Sequence, residues 1–344
     1  DNHGPTLPSR PVRGRGCAVR ARPARWKTDG MAGSGIALLQ RWWNRLTLAG
    51  LVLCALVAPL AWWAGGTSWI AVVVGTLLLP LAAVAAVCAL LGGRHRWLTR
   101  AAILATVIIP VLPLVGYAIP GTTPSTPGPP PEPTDTATVV ALNTLQGRAD
   151  AGVLARVAAD ADVVVLAEVA PGTLEGYARA LRMRVVWSEF DEAIKTSTVI
   201  LARDARVVSP RTVTGAGTPT GEVTIDGDRS DLRVIGTRLV NPAFQPPRLW
   251  DTGFRAIGAR VEQSGPVVVL GDLNAPVTTI RYRRFVRDTG LTECADALGL
   301  GKPGTWSPVV DGRWAPLMID HVLTRDARCT SFRTARVPGS DHRA

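Results

Sequence analysis

Val267-Val268-Val269-Leu270-Gly271-Asp272-Leu273-Asn274 is the stretch from which the rest of the chain reads. Four apolar, mostly β-branched residues spell a buried strand. Gly271 breaks the run and lets the backbone turn tightly. A carboxylate and a carboxamide follow, two residues apart. Side chains at i and i+2 of extended backbone point to the same side, so Asp272 and Asn274 project together from the strand end. A carboxylate binds a hard cation or takes a proton, and an amide orients a water or an oxyanion. The plainer alternative is a strand closed by an Asx turn.

The same ending recurs on both sides of this stretch. Residues 138–142 form a short β-type run ending at Asn143, and the apolar run 163–166 leads to Glu168. A strand is expected over 317–323, containing Asp320 and His321, and Ser340-Asp341-His342-Arg343 follows in a terminal loop. Between them the pattern predicts helices over 151–159 and 249–261, a mostly helical segment over 281–298, and a strand over 197–201. A hairpin is expected where 222–225 and 232–239 bracket Asp226-Gly227-Asp228. One polar strand end is usually a turn residue. Five in one β-rich domain point to one site, because strand ends on one sheet edge lie side by side. His321 points opposite to Asp320 along a strand and reads as structural.

Upstream the character changes. Residues 46–63, 69–91 and 101–120 carry no charge, and each is long enough to cross a hydrocarbon core of ~30 Å. Trp42, Trp43, Trp62, Trp63, Trp69 and Trp97 sit at the ends of these runs, where an interfacial belt belongs. Arg41 and Arg45 precede the first run, and Arg94, Arg96 and Arg100 separate the second from the third. The excess of basic residues on those two sides puts the N-terminus in the cytoplasm and everything after residue 120 outside the cell membrane. The Pro- and Thr-rich residues 121–137 read as an extended linker. Residues 1–45 read as a disordered basic tail. Met31 is the first methionine; the alternatives are a fragment with a missing start and a true start at Met31, the second being preferred. The net charge of +11 invites a nucleic-acid partner, yet residues 1–137 hold 12 Lys and Arg against 4 Asp and Glu, leaving 26 against 23 for the domain with Asp272.

As an ordered set, LNTLQG with Asn143, VVVLAEV with Glu168, VVVLGDLNA with Asp272 and Asn274, MIDHVL with Asp320 and GSDHR with Asp341 and His342 resembles the endonuclease/exonuclease/phosphatase superfamily over residues 138–344. The three uncharged runs are similar to the anchor of a bacterial membrane-bound subgroup. The resemblance implies an α/β fold, a four-layer α/β sandwich of two packed β-sheets flanked by helices, here preceded by three transmembrane helices. It also implies divalent-metal-dependent hydrolysis of a phosphoester, with Mg²⁺ or alternatively Mn²⁺. By that resemblance Glu168, Asn143 and Asp341 are the metal residues. Asp272 orients or deprotonates the attacking water, Asn274 donates to the phosphoryl oxygen, and His342 contacts the scissile phosphate. Asp320 holds the imidazole and favours its charged form.

Two departures from the family pattern stand out. Arg238 occupies the place of a usual histidine; arginine moves no proton near neutral pH but clamps phosphate through paired hydrogen bonds. A further core strand is expected beyond Arg343, so the chain reads as truncated at Ala344. Arg281, Arg283, Arg284 and Arg287 read as a solvated helix face rather than a polyanion grip. Cys294 and Cys329 lie in the domain expected outside, where a disulfide is permitted, and the sequence leaves their pairing open. The expected substrate is nucleic acid, alternatively a phospholipid or small-molecule phosphoester; the other reading is a catalytically impaired binding or signalling domain that keeps the fold. No protein partner is implied.

Overall fold

The computed structural model describes residue 42 and residues 136–344, apart from 204–205 and 228–229. The basic tail apart from residue 42, the three expected spans and nearly all of the linker lie outside the described residues. Among the described residues, no helix is long and apolar enough to cross a membrane.

Two sheets carry the domain. The first has the order β1-β2-β4-β3, from β1 (Val139–Asn143), β2 (Val163–Val169), β3 (Arg184–Asp191) and β4 (Thr196–Ala202). The second has the order β5-β6-β7-β8-β10-β9, from β5 (Val207–Thr212), β6 (Thr220–Ile225), β7 (Leu232–Arg238), β8 (Val267–Asp272), β9 (Thr292–Glu293) and β10 (Asp320–Arg325). Alternation along each strand sets the layers. Val163 and Val165 of β2 pack with Val234, Val268 and Leu270 between the sheets. Val164 and Leu166 face the other way, onto Leu154 of α1 (Ala151–Val157) and Tyr177 and Leu181 of α2 (Leu174–Leu181). Val267 and Val269 of β8 likewise face Trp250, Phe254 and Ile257 of α3 (Pro247–Val261) and Tyr282 and Phe285 of α4 (Ile280–Thr289). The result is the expected α/β sandwich: two mixed sheets face to face with helices on both outer sides.

Where boundaries differ from expectation, a local cause is visible. The helix expected over 281–298 stops because Gly290 takes φ 68° and caps α4; the chain resumes as β9 and the short α5 (Cys294–Ala297). The last strand begins at Asp320 rather than at 317, because Leu317 pairs with Trp306 instead. The expected hairpin forms: β6 and β7 pair antiparallel from Thr220↔Thr237 to Ile225↔Leu232. Cys294 and Cys329 are joined in a disulfide, with their Cα atoms 5.6 Å apart.

Strand direction then gathers the polar ends. β1 runs parallel to β2 and β7 parallel to β8, so within each pair the carboxyl ends share an edge. β10 runs antiparallel to β8, with Asp320 in register with Asp272. Gly271 is needed at the approach to Asp272: its φ is 133°, and a Cβ there would collide with the carbonyl oxygen of Thr237.

Candidate active site

Five strand ends and one terminal loop meet at the mouth of the cleft between the sheets. Asn143, Arg238 and Asp272 end β1, β7 and β8. Each shares the parity of neighbours that face the cleft: Ala141, Val234 and Leu270. Glu168 has the wrong parity for this, since Val164 and Leu166 face the helices. A register shift between Leu166 and Val169 corrects it, and Glu168 takes φ 55°. Bulges of this kind re-aim side chains beside functional sites. Asn274 also has positive φ, at 48°. Left-handed backbone at non-glycine residues costs free energy and is held only where the surroundings dictate it.

The side chains form two bonded groups, one around Asp272 and Glu168 and one around His342. Asn143 Nδ2 donates to Glu168 Oε1 and to Asp272 Oδ2, each at 3.0 Å. The Asn274 backbone N–H donates to Asp272 Oδ1 at 2.9 Å, and its Nδ2 donates to Asp272 Oδ2 at 3.2 Å and to the Leu239 carbonyl at 2.8 Å. In this arrangement the Asn274 amide is spent on fixing Asp272, not on an open position. Arg238 reaches Glu168 Oε1 with Nε at 3.1 Å and Nη2 at 3.0 Å. His342 Nδ1 lies 2.8 Å from Asp320 Oδ2, and its Nε2 is 3.9 Å from Asp341 Oδ1. His321 is elsewhere, as its parity requires. It sits between Glu293 at 2.7 Å and the Ala275 carbonyl at 2.9 Å, stacked on Tyr282.

Three residues that sequence reasoning did not single out hold these groups. Thr305 Oγ1 accepts from the Ile319 and Asp320 backbone N–H groups at 3.1 and 3.0 Å. Trp306 Nε1 donates to Asp341 Oδ2 at 3.0 Å. Ser340 Oγ donates to the Asn143 carbonyl at 2.7 Å and accepts from the His342 N–H at 2.9 Å, tying the terminal loop to β1. Thr305 and Trp306 lie in a Pro- and Gly-flanked stretch with no strand pattern. Only the long-range pairing reveals them; Ser340 lay inside a quoted motif. Of the four arginines after the Asp272 motif, Arg281 pairs with Asp251 at 2.8 Å and lies over the Phe254 ring, so it is packed rather than solvated.

Burial sharpens the electrostatics. Loss of solvent pushes the Asp272 carboxyl up to about 6; His342 and Arg238 pull it down and Asp320 pushes it further up. Burial draws the His342 imidazole down, but the charge and hydrogen bond of Asp320, helped by Asp272 and Asp341, prevail and raise it to about 10. The imidazole is therefore an imidazolium at neutral pH, beside a carboxylate that ionises just below it.

A hard divalent cation fits this donor set. Asp272, Asp320 and His342 each offer a ligand atom within 4.8 Å of the others. Asp320 Oδ1 and Asp341 Oδ1 are buried without a hydrogen-bond partner. Two locations thus compete: this triad, and the Glu168 end of the site. The triad sets one imidazolium against two carboxylates, and a protonated imidazole has no lone pair to give a metal, which favours the Glu168 end.

The fold is thus two packed sheets with helices outside, carrying a carboxylate, amide and imidazolium site at its strand ends. The profile of the Endonuclease/Exonuclease/phosphatase family matches residues 140–342, and the chain belongs to that family. No curated protein matches it in sequence. Among solved structures, it is similar to a humanized D. rerio TDP2, with 16% identity and TM-score 0.46 over 60% of this chain and 96% of the other. It is similar to a Bacteroides thetaiotaomicron mannosyl-6-phosphatase, with 14% identity and TM-score 0.46 over 60% and 97%. It is also similar to an endonuclease/exonuclease/phosphatase from Beutenbergia cavernae, with 20% identity and TM-score 0.43 over 60% and 69%.

Proposed function

We propose that this chain is a membrane-anchored, outward-facing hydrolase that cleaves a phosphodiester with an activated water and a divalent metal. The observation that carries it is the Asp320–His342 pair beside Asp272, two oppositely poised groups at one end of the cleft. Asp272 is the base. Asn274 and Asn143 hold its two oxygens, and Oδ1, with one donor, keeps a lone pair for the proton of the attacking water. His342, held by Asp320 through Nδ1, presents Nε2–H to the phosphoryl group and meets the charge that develops there. Glu168, Asn143 and Asp341 would hold the metal. When bound it supplies neutralisation of the phosphoryl oxygens, with Mg²⁺ suited to an oxygen-rich set and Mn²⁺ the alternative.

The apolar runs 46–63, 69–91 and 101–120 support a multi-pass anchor. The Cys294–Cys329 disulfide supports a compartment outside the cytoplasm. Proximity to a bilayer supports a phospholipid substrate as the second reading. So do the exposed Val309 and Trp314, in the segment that bonds to Ser340 and Asp341 through Asp311 and Ser307.

The test uses the full chain in detergent, with Mg²⁺, on single- and double-stranded DNA, RNA, a chromogenic phosphodiester and phospholipid vesicles. Turnover that a chelator abolishes is expected on at least one of them. A nucleic-acid substrate adds steep salt dependence, and a lipid substrate confines activity to micelles or vesicles. Turnover unchanged by the chelator would rule out the metal-dependent mechanism.

A further inference from the structure

Arg238 ends β7 in register with Asp272 of β8, one strand spacing from the base. It spends Nε and Nη2 on one oxygen, Glu168 Oε1, to which Asn143 Nδ2 also donates. A carboxylate oxygen has two lone pairs, so the hydrogen bonds from Arg238 Nε and Asn143 Nδ2 fill it, with Nη2 beside them in an ion-pair contact. The third nitrogen, Nη1, is buried and has no hydrogen-bond partner, in a side chain only 9% exposed. A dry guanidinium donor without an acceptor is costly. The fork it belongs to matches the oxygens of a phosphate.

Building on the phosphoesterase reading above, we propose that Arg238 is an internal stand-in for the divalent cation at Glu168. Guanidinium and metal are alternatives for Oε1, and the metal's arrival releases Arg238 to the substrate phosphate. Oε1, its lone pairs already taken by these two hydrogen bonds, cannot serve them and a metal at once. A fixed positive charge at this range also opposes a second cation. The released guanidinium stays on the strand beside Asp272, where the reacting phosphate lies. Metal and phosphate then bind with positive coupling, equal in both directions. The Arg–Glu pair, neutral as a unit, thus weakens metal binding until phosphate offers the guanidinium another partner.

The full chain in detergent is titrated with Mn²⁺, followed by its electron paramagnetic resonance signal, and with inorganic phosphate at saturating Mn²⁺, followed by calorimetry. Arg238→Met is expected to bind Mn²⁺ about tenfold tighter and inorganic phosphate about tenfold weaker. A structural role would weaken both. Mn²⁺ affinity equal to the wild type's or weaker, in a variant with an unchanged circular dichroism spectrum, overturns the exchange. In the wild type, the Arg238 Nε–H resonance is expected to shift as Mg²⁺ is added. An unmoved resonance at saturating Mg²⁺ overturns it without any variant. Absence of Mn²⁺ binding by both proteins overturns the metal-dependent reading itself, and this proposal with it.

Discussion

In the proposed mechanism His342 and Asp272 work in protonation states that burial and neighbours have set in opposite senses. Asp272 acts as the carboxylate, so turnover is lost as pH falls through about 6. His342 acts as the imidazolium, so turnover is lost as pH rises through about 10. A pH–rate profile of the full chain should therefore be a broad bell. In Asp320→Asn the charge that holds the imidazole's proton is gone, and the upper limb should move down toward the ordinary histidine range of ~6.5. An upper limb left in place would show that another group sets it. The same pair bears on folding. The raised His342 value contributes stability that is fully present below the unfolded histidine range and lost as pH rises through about 10.

At the scale of elements, the loop after β8 is fixed from beneath by α3. Trp250 is fully buried, and its Nε1 donates to the Leu273 carbonyl at 2.8 Å, between Asp272 and Asn274. Trp250→Ala should cost about 3–5 kcal/mol in urea denaturation. Trp250→Phe keeps most of the packing but orphans the carbonyl, so it should cost about 1–2 kcal/mol and lower turnover as well. The elements legible in the sequence are those whose apolar runs are buried on both faces, such as β2 (VVVLAEV) and β8 (VVVLGD). β3 and β5 were not legible because each lies at a sheet edge, where a strand needs no apolar run. β5 even contains Pro210 and exposes four of its six residues. The polar residues at the strand ends were readable one by one. Their partners were not. Glu168 meets Arg238 across 70 positions and Trp306 meets Asp341 across 35, and such pairs follow from register and a bulge rather than from local pattern.

For the whole molecule, the domain is stapled by Cys294–Cys329 across 35 positions. Reduction should lower stability by about 4 kcal/mol on loop-closure entropy, visible as a lower urea midpoint with a reductant present. If the three apolar runs span a bilayer as proposed, an epitope inserted within residues 121–135 should be reached by antibody on intact cells. Labelling that requires permeabilisation would reverse the orientation. The central claim is that a water activated by Asp272 attacks a phosphoryl group met by His342. Its most direct test is the turnover of a chromogenic phosphodiester by the full chain with Mg²⁺, beside Asp272→Asn and His342→Ala. Each variant, folded as the wild type is, should lose about 10²- to 10⁴-fold in rate. Turnover retained by either variant within a few-fold of wild type would contradict the claim.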